Sequence, residues 1–154
     1  MEFEDYLDIQ RLMFRYASSV DKADWDELSR LFVEAEVTAN TSNDVSRGGE
    51  AIAELWRGVN KVHPDGTLRT RHLITNIVID DDDAGGAFAV SYFMVFQQTE
   101  HLALQPIAGG RYEDKFSKTD GKWHFVSKFI DVTQIGDTSD HLVVSLQDGP
   151  IHFS

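Results

Sequence analysis

The apolar pattern of this chain changes period partway along its length, and that change sets the order of its layers. From Phe3 to Val20, the residues Tyr6, Ile9, Met13, Tyr16 and Val20 recur at alternating spacings of three and four, which lines them up on one face of a helix. A second helix is expected near Trp25, with Asp24 as N-cap and Glu27 placed to close a capping box. Leu28, Leu31 and Phe32 give it an apolar side. A short strand from Ala35 to Asn40 follows, then a third helix from Gly49 to Val59 with Ile52, Leu55, Trp56 and Val59 on one face.

In the second half the period falls to two. His72 to Ile79 is rich in β-branched residues, and the run Asp80 to Gly86 breaks it with a solvated acidic turn. Phe88 to Gln98 is a long strand with apolar residues on both faces, so both faces are expected to be covered. Pro106 opens another strand, Ala108 to Lys118, and Asp120-Gly121 marks a hairpin turn into its partner, Trp123 to Val132. Helices first and antiparallel strands second predict an α+β architecture, with helices against one face of a curved sheet. A hollow between those layers is the natural place for a site. No repeat or linker divides the 154 residues, which reads as one domain, 1–154.

Composition narrows the function. A formal net charge of -12 argues against nucleic acid, whose phosphates need clustered Lys and Arg. It also disfavours anionic membranes and highly charged substrates. Ten Phe, four Tyr and three Trp supply aromatic mass for a core or for cavity walls. There is no cysteine, which excludes disulfides, thiolate nucleophiles and Cys-based metal sites. The acidic N-terminus lacks a signal-peptide pattern, and no apolar run approaches the roughly 20 residues of a membrane span; a cytoplasmic protein is expected.

The candidate chemistry starts with Tyr16 and Asp21. Tyr16 lies on the buried stripe of the first helix, and Asp21 follows where that helix ends. A carboxylate there meets the unfavourable end of the helix dipole, and Asp24 already serves as the next cap. Asp21 is thus either a plain turn residue or one held for another purpose. His72 opens a strand and by period shares a face with Ile74, Asn76 and Val78. As a lone strand-end histidine it needs no explanation, whereas with a carboxylate partner it becomes a base. Chain order allows Asp21 as that partner, but spacing does not join them. Trp56, Phe96 and Asn76 are candidates for the substrate-binding wall. Lys128 falls on the last long strand, facing with Val126 and Ile130 if the strand is regular. The simpler reading is an exposed sheet lysine; the functional one is a cation that polarises a carbonyl.

Other chemistries find no support. His63, His101, His124, His141 and His152 show no close pairing, so no metal site is expected. The four aspartates lack the spacing of a calcium loop, and the glycine pairs form no phosphate-binding pattern.

Four stretches resemble SnoaL-like proteins of the nuclear transport factor 2 superfamily. They are Arg15-Tyr16-Ala17 through Asp21, Trp25 and Leu31-Phe32; Arg71 to Asn76; Gly110 to Asp114; and Asp120 to Trp123. The resemblance spans about residues 5 to 133. It implies a cystatin-like, cone-shaped curved sheet around an apolar pocket, a homodimer or homotrimer, and no cofactor. It further implies a Tyr and an Asp at the end of the first helix with a His on the first long strand, which Tyr16, Asp21 and His72 supply. That arrangement is similar to scytalone dehydratase, hexachlorocyclohexane dehydrochlorinase and the bile-acid 7α-dehydratase, where the Asp–His pair abstracts a proton. Lys128 stands where those proteins usually carry Arg.

The leading expectation is therefore a cofactor-independent lyase or isomerase acting on a hydrophobic cyclic small molecule. The alternatives are a non-catalytic β subunit of a ring-hydroxylating dioxygenase or small-molecule carrier, and a structural dimerisation domain. The stretch from Leu142 to Leu146 and the tail to Ser154 could cap the pocket or join a neighbouring subunit.

Overall fold

The computed structural model describes residues 1–146; the expectation for the tail beyond falls outside the described residues. Helix α1, Phe3–Asp21, buries Ile9, Met13, Tyr16 and Val20 along its stripe. Its first turn is tied to the far end of the sheet through Asp5, which accepts from Lys118 Nζ at 2.6 Å and Trp123 Nε1 at 2.8 Å. These two bonds pull the Asp5 carboxyl down to about 2.

Helix α2, Trp25–Leu31, starts where the capping pattern places it, with Asp24 accepting the Glu27 amide at 3.0 Å. Glu27 does not close the box; its carboxylate reaches Arg15 and Arg30 instead. Helix α3, Gly49–Val59, packs so closely on α2 that a Cβ on Gly49 would lie 2.0 Å from the Ser29 carbonyl oxygen.

Six strands form one curved sheet in the order β2-β1-β6-β5-β4-β3. They are β1 (Glu36–Ala39), β2 (Ser46–Arg47), β3 (Thr70–Asp81), β4 (Ala87–Gln97), β5 (Gln105–Thr119) and β6 (Lys122–Ile135). The two-residue β2 has no signal in the sequence. β1 runs parallel to β6, while the four long strands are antiparallel neighbours. Asp120 and Gly121 both take positive φ, the backbone a two-residue hairpin needs to match the strand twist.

The core lies between the helices and the inner sheet face. Phe32 stacks on Phe125, which meets Phe116 at a tilt, and Ile9, Met13, Leu28, Ile52 and Ile107 are fully buried. Each such side chain contributes about 1.5–3 kcal/mol.

The expectation that both faces of β4 are covered is corrected. Phe93 and Val95 are buried inside, but the alternate row, Val90, Tyr92, Met94 and Phe96, lies on the outer face, partly or openly exposed. No element of the described chain packs over that row. Among the described residues, no helix is long and apolar enough to cross a membrane.

Candidate functional site

The last residue of α1 meets the first residues of β3. Asp21 Oδ1 accepts from Thr70 Oγ1 at 2.7 Å and from His72 Nδ1 at 2.5 Å, while Oδ2 accepts the His72 amide at 3.0 Å. The Leu68 amide adds a bond to the Asp21 carbonyl. An acid at a helix C-terminus is thus held by four bonds from one strand entry. Burial works to raise the Asp21 carboxyl; the His72 bond and charge, with the Thr70 and main-chain bonds, outweigh it and hold the group below its ordinary range. Because a carboxylate only accepts, His72 carries its proton on Nδ1, and Nε2 is the basic position.

His72 lines a cavity of about 410 Å³ between α1, α3 and the inner sheet face. Its walls are mostly apolar: Val20, Val37, Phe93, Val95, Ala108, Ile130 and Val132. Tyr16 and Tyr112 also line it, edge to face at 5.7 Å, with Phe93 stacked on Tyr112 at 4.3 Å. Burial pushes both phenols well above their ordinary range, while the Tyr112 hydroxyl acts the other way on Tyr16. Both therefore stay protonated; the Tyr112 hydroxyl is turned to the Tyr16 oxygen, which leaves the Tyr16 O–H to donate to a ligand oxygen.

Of the residues named from the sequence, Tyr16, His72 and Trp56 line the cavity, with Asp21 bonded to His72 behind the wall. Asn76, Phe96 and Lys128 do not. Asn76 has φ +52 and is exposed at a bulge, where the β3–β4 register shifts between Thr75 and Val78. His72 and Ile74 face inward before the bulge, Ile77 and Ile79 after it, so Val78 is also turned out. Phe96 belongs to the outer row, in a cleft with Arg69 and Arg71.

Lys128 is not the exposed sheet lysine of the simpler reading. A bulge at Val126 (Lys115 pairs Ser127, Phe116 pairs Phe125) turns Val126 outward and Lys128 inward. Its ammonium is fully buried, bonded to Asp114 at 3.0 and 3.2 Å, and lies 3.6 Å from the Tyr112 ring centre and 4.2 Å from that of Tyr16. It supports the tyrosines from beneath rather than lining the cavity.

Reading the sequence missed Thr70, Tyr112, Asp114 and His141. The alternation of β5 could have placed Tyr112 and Asp114 on one face; nothing local marks His141. Leu142, Val144 and Leu146 close part of the cavity, so the described end of the chain caps it. Among the described residues, no group of three His, Cys, Asp or Glu is arranged to hold a metal ion.

No curated protein matches the sequence closely enough to count as a relative. Solved structures do match. A nuclear transport factor 2-like protein with a cystatin-like fold from Novosphingobium aromaticivorans superposes with a TM-score of 0.72 at 22% identity, covering 89% of this chain and 86% of the other. A candidate scytalone dehydratase from the same organism gives 0.67 at 26% identity, covering 85% of each chain. The β subunit of a candidate aromatic-ring-hydroxylating dioxygenase, also from that organism, gives 0.67 at 18% identity, covering 87% of this chain and 94% of the other. The model of the SnoaL-like domain matches residues 1–128, so the chain belongs to the SnoaL-like family.

Proposed function

We propose that this protein is a cofactor-independent acid–base enzyme, a lyase of the dehydratase type or an isomerase, acting on a hydrophobic cyclic small molecule. The observation that carries this reading is the 2.5 Å contact between Asp21 and His72 at the wall of an apolar cavity. His72 Nε2 takes a proton from a carbon beside a carbonyl, and Asp21 stabilises the imidazolium that forms. Tyr16 donates to the oxygen on which negative charge develops, with the Tyr112 hydroxyl supporting it from behind. The proton then returns at another carbon, completing an isomerisation, or leaves with a departing hydroxyl as water while a C=C bond forms. Either sequence is redox-neutral.

The likeness to a candidate scytalone dehydratase favours this reading. The likeness to a dioxygenase β subunit suggests a binding role, but a purely non-catalytic module has no need of a carboxylate held on an imidazole. We further propose that the chain is cytoplasmic and assembles as a homo-oligomer. The support for assembly is the exposed apolar row of β4, with Tyr92 52% exposed, beside Leu73 of β3 at 43%.

The test is hydrogen–deuterium exchange at the carbon beside the carbonyl of 2-tetralone, read by mass spectrometry in D2O. The wild-type protein should speed exchange by about 10²-fold or more, and His72→Ala and Asp21→Asn should each remove that gain while circular dichroism stays unchanged. Equal exchange by wild type and both variants refutes the mechanism.

A further inference from the structure

Beneath two of the aromatic rings that line the cavity, the sheet carries a buried ion pair that the acid–base mechanism does not use. Asp114 of β5 and Lys128 of β6 stand opposite each other in register, and both side chains are fully shielded from solvent. Two charges are costly to take out of water, and apolar residues of similar volume often fill such a place at no loss of stability. Stability alone therefore gives no reason for a lysine here.

The surroundings of the ammonium give one. Among the described residues its hydrogen bonds go to Asp114 alone, at 3.0 and 3.2 Å. Its other sides meet aromatic faces, with the ring centre of Tyr112 at 3.6 Å, that of Tyr16 at 4.2 Å and that of Phe125 at 5.8 Å. A desolvated cation over a ring is held by the negative face and draws electron density toward itself. Asp114 pulls the Tyr16 phenol the other way. The pair thus acts on the rings as a dipole, and its positive end is the one that stands against them.

Tyr112 and Tyr16 are also the two rings whose hydroxyls are linked at the cavity. The Tyr112 hydroxyl is turned to the Tyr16 oxygen, and the Tyr16 O–H is left for a ligand. One cation beneath both rings acts on this series twice. Under Tyr112 it makes a better donor toward Tyr16; under Tyr16 it makes a better donor toward the ligand. Hydrogen bonds in series polarise one another, and the low dielectric of a closed site enlarges the effect.

We infer that Lys128 is a positioning residue whose ammonium, without touching the ligand, strengthens the hydrogen bond that Tyr16 gives to a ligand carbonyl oxygen. A direct role is closed to it, because the side chain is fully buried and the two phenol rings lie between it and the cavity. The inference rests on the proposed function in taking this cavity as the substrate site. It deepens that reading by assigning the buried pair a part in stabilising an oxygen on which negative charge develops.

Infrared difference spectra of 2-tetralone, labelled with ¹³C at its carbonyl and bound to the full chain, test it. A stronger hydrogen bond lowers the C=O stretching band, so the band in wild type should lie below that in Tyr16→Phe. Lys128→Met combined with Asp114→Asn removes both charges together. This variant should give back about half or more of that lowering, with circular dichroism unchanged. The same two substitutions added to Tyr16→Phe should leave the band where it is.

A band equal to wild type in the double variant overturns the inference, as does an effect that persists without the Tyr16 hydroxyl. A wild-type protein that binds no 2-tetralone, or binds it with no lowered band, overturns it too. Should the double variant fail to fold, ¹⁵N spectra of wild type decide: the Lys128 Nζ resonance must move on adding 2-tetralone and not on adding naphthalene. A band that depends on Lys128 without deuterium exchange leaves the inference standing and removes the enzyme reading. Exchange with a band indifferent to Lys128 does the reverse.

Discussion

Lys128 and Asp114 form an ion pair 3.0 Å long in which both side chains are fully shielded from solvent. Burial drives the carboxyl up and the ammonium down, each toward its neutral form, and the mutual attraction opposes both shifts. Removing one partner strands the other. Lys128→Met is expected to destabilise the fold by about 3–5 kcal/mol, and Lys128→Met with Asp114→Asn to recover most of the loss. Urea unfolding of the two variants checks this; equal losses would mean that the Tyr112 and Tyr16 rings over Lys128, rather than the stranded charge, set the cost.

Thr70, fully buried and not part of the cavity lining, supports Asp21 through its 2.7 Å bond to Oδ1. Thr70→Val keeps the shape and removes the donor, which should cost about 1 kcal/mol of stability. Since the His72 bonds to Asp21 remain, exchange on 2-tetralone should fall by about tenfold or less, against the near-total loss in Asp21→Asn. Rates measured side by side test the ranking.

Acid should act on this protein in two overlapping windows. His141 has a folded value of about 3 against an ordinary 6.5, so between those values the unfolded chain binds the extra proton and stability falls as pH falls. The loss should reach about 2 kcal/mol at pH 5. Asp21 is held below its ordinary 3.8, so its contribution is present above that value and is lost as pH drops further. Urea midpoints from pH 7 to pH 3 should show the first decline in wild type, and His141→Phe should flatten it above pH 5.

Gly110 packs where no side chain fits: a Cβ there would lie 1.9 Å from the Asp131 carbonyl oxygen and 3.1 Å from Phe93 Cε1. Gly110→Ala should destabilise by about 1–3 kcal/mol. It also pushes on a ring that forms the cavity wall, so naphthalene binding should weaken as well. An Ala variant with unchanged midpoint and affinity would show that the sheet relaxes freely at this bulge.

Much of this fold can be read from local signals. The helical stripe ending at Val20, the Asp24 cap, the helix Gly49–Val59 and the Asp120-Gly121 hairpin each depend on chemistry within a few residues. Sites depend on more. Asp21 and His72 are joined only because α1 ends beside the start of β3, a long-range placement that spacing cannot encode. A strict period of two puts Lys128 on the face of Val126, because it cannot anticipate an extra residue in the strand. Phe96 is misplaced on the cavity wall for a different reason: with apolar residues on both sides of β4, nothing in its alternation says which row faces in. His141 lies in an irregular segment without period, held mostly through the carbonyls of its neighbours, which leave no trace in its own residue type.

The bulge at Asn76 gives β3 two independent frames. Upstream of it the strand presents His72 to the cavity; downstream it presents Ile77 and Ile79 to the core. Losing one residue between His72 and Asn76 would turn the imidazole outward and part it from Asp21, while leaving the downstream half in place. Losing one beyond Asn76 would exchange core for surface and spare the dyad. A strand divided in this way lets the chemistry and the packing of one element drift separately, with a single left-handed residue as the joint between them.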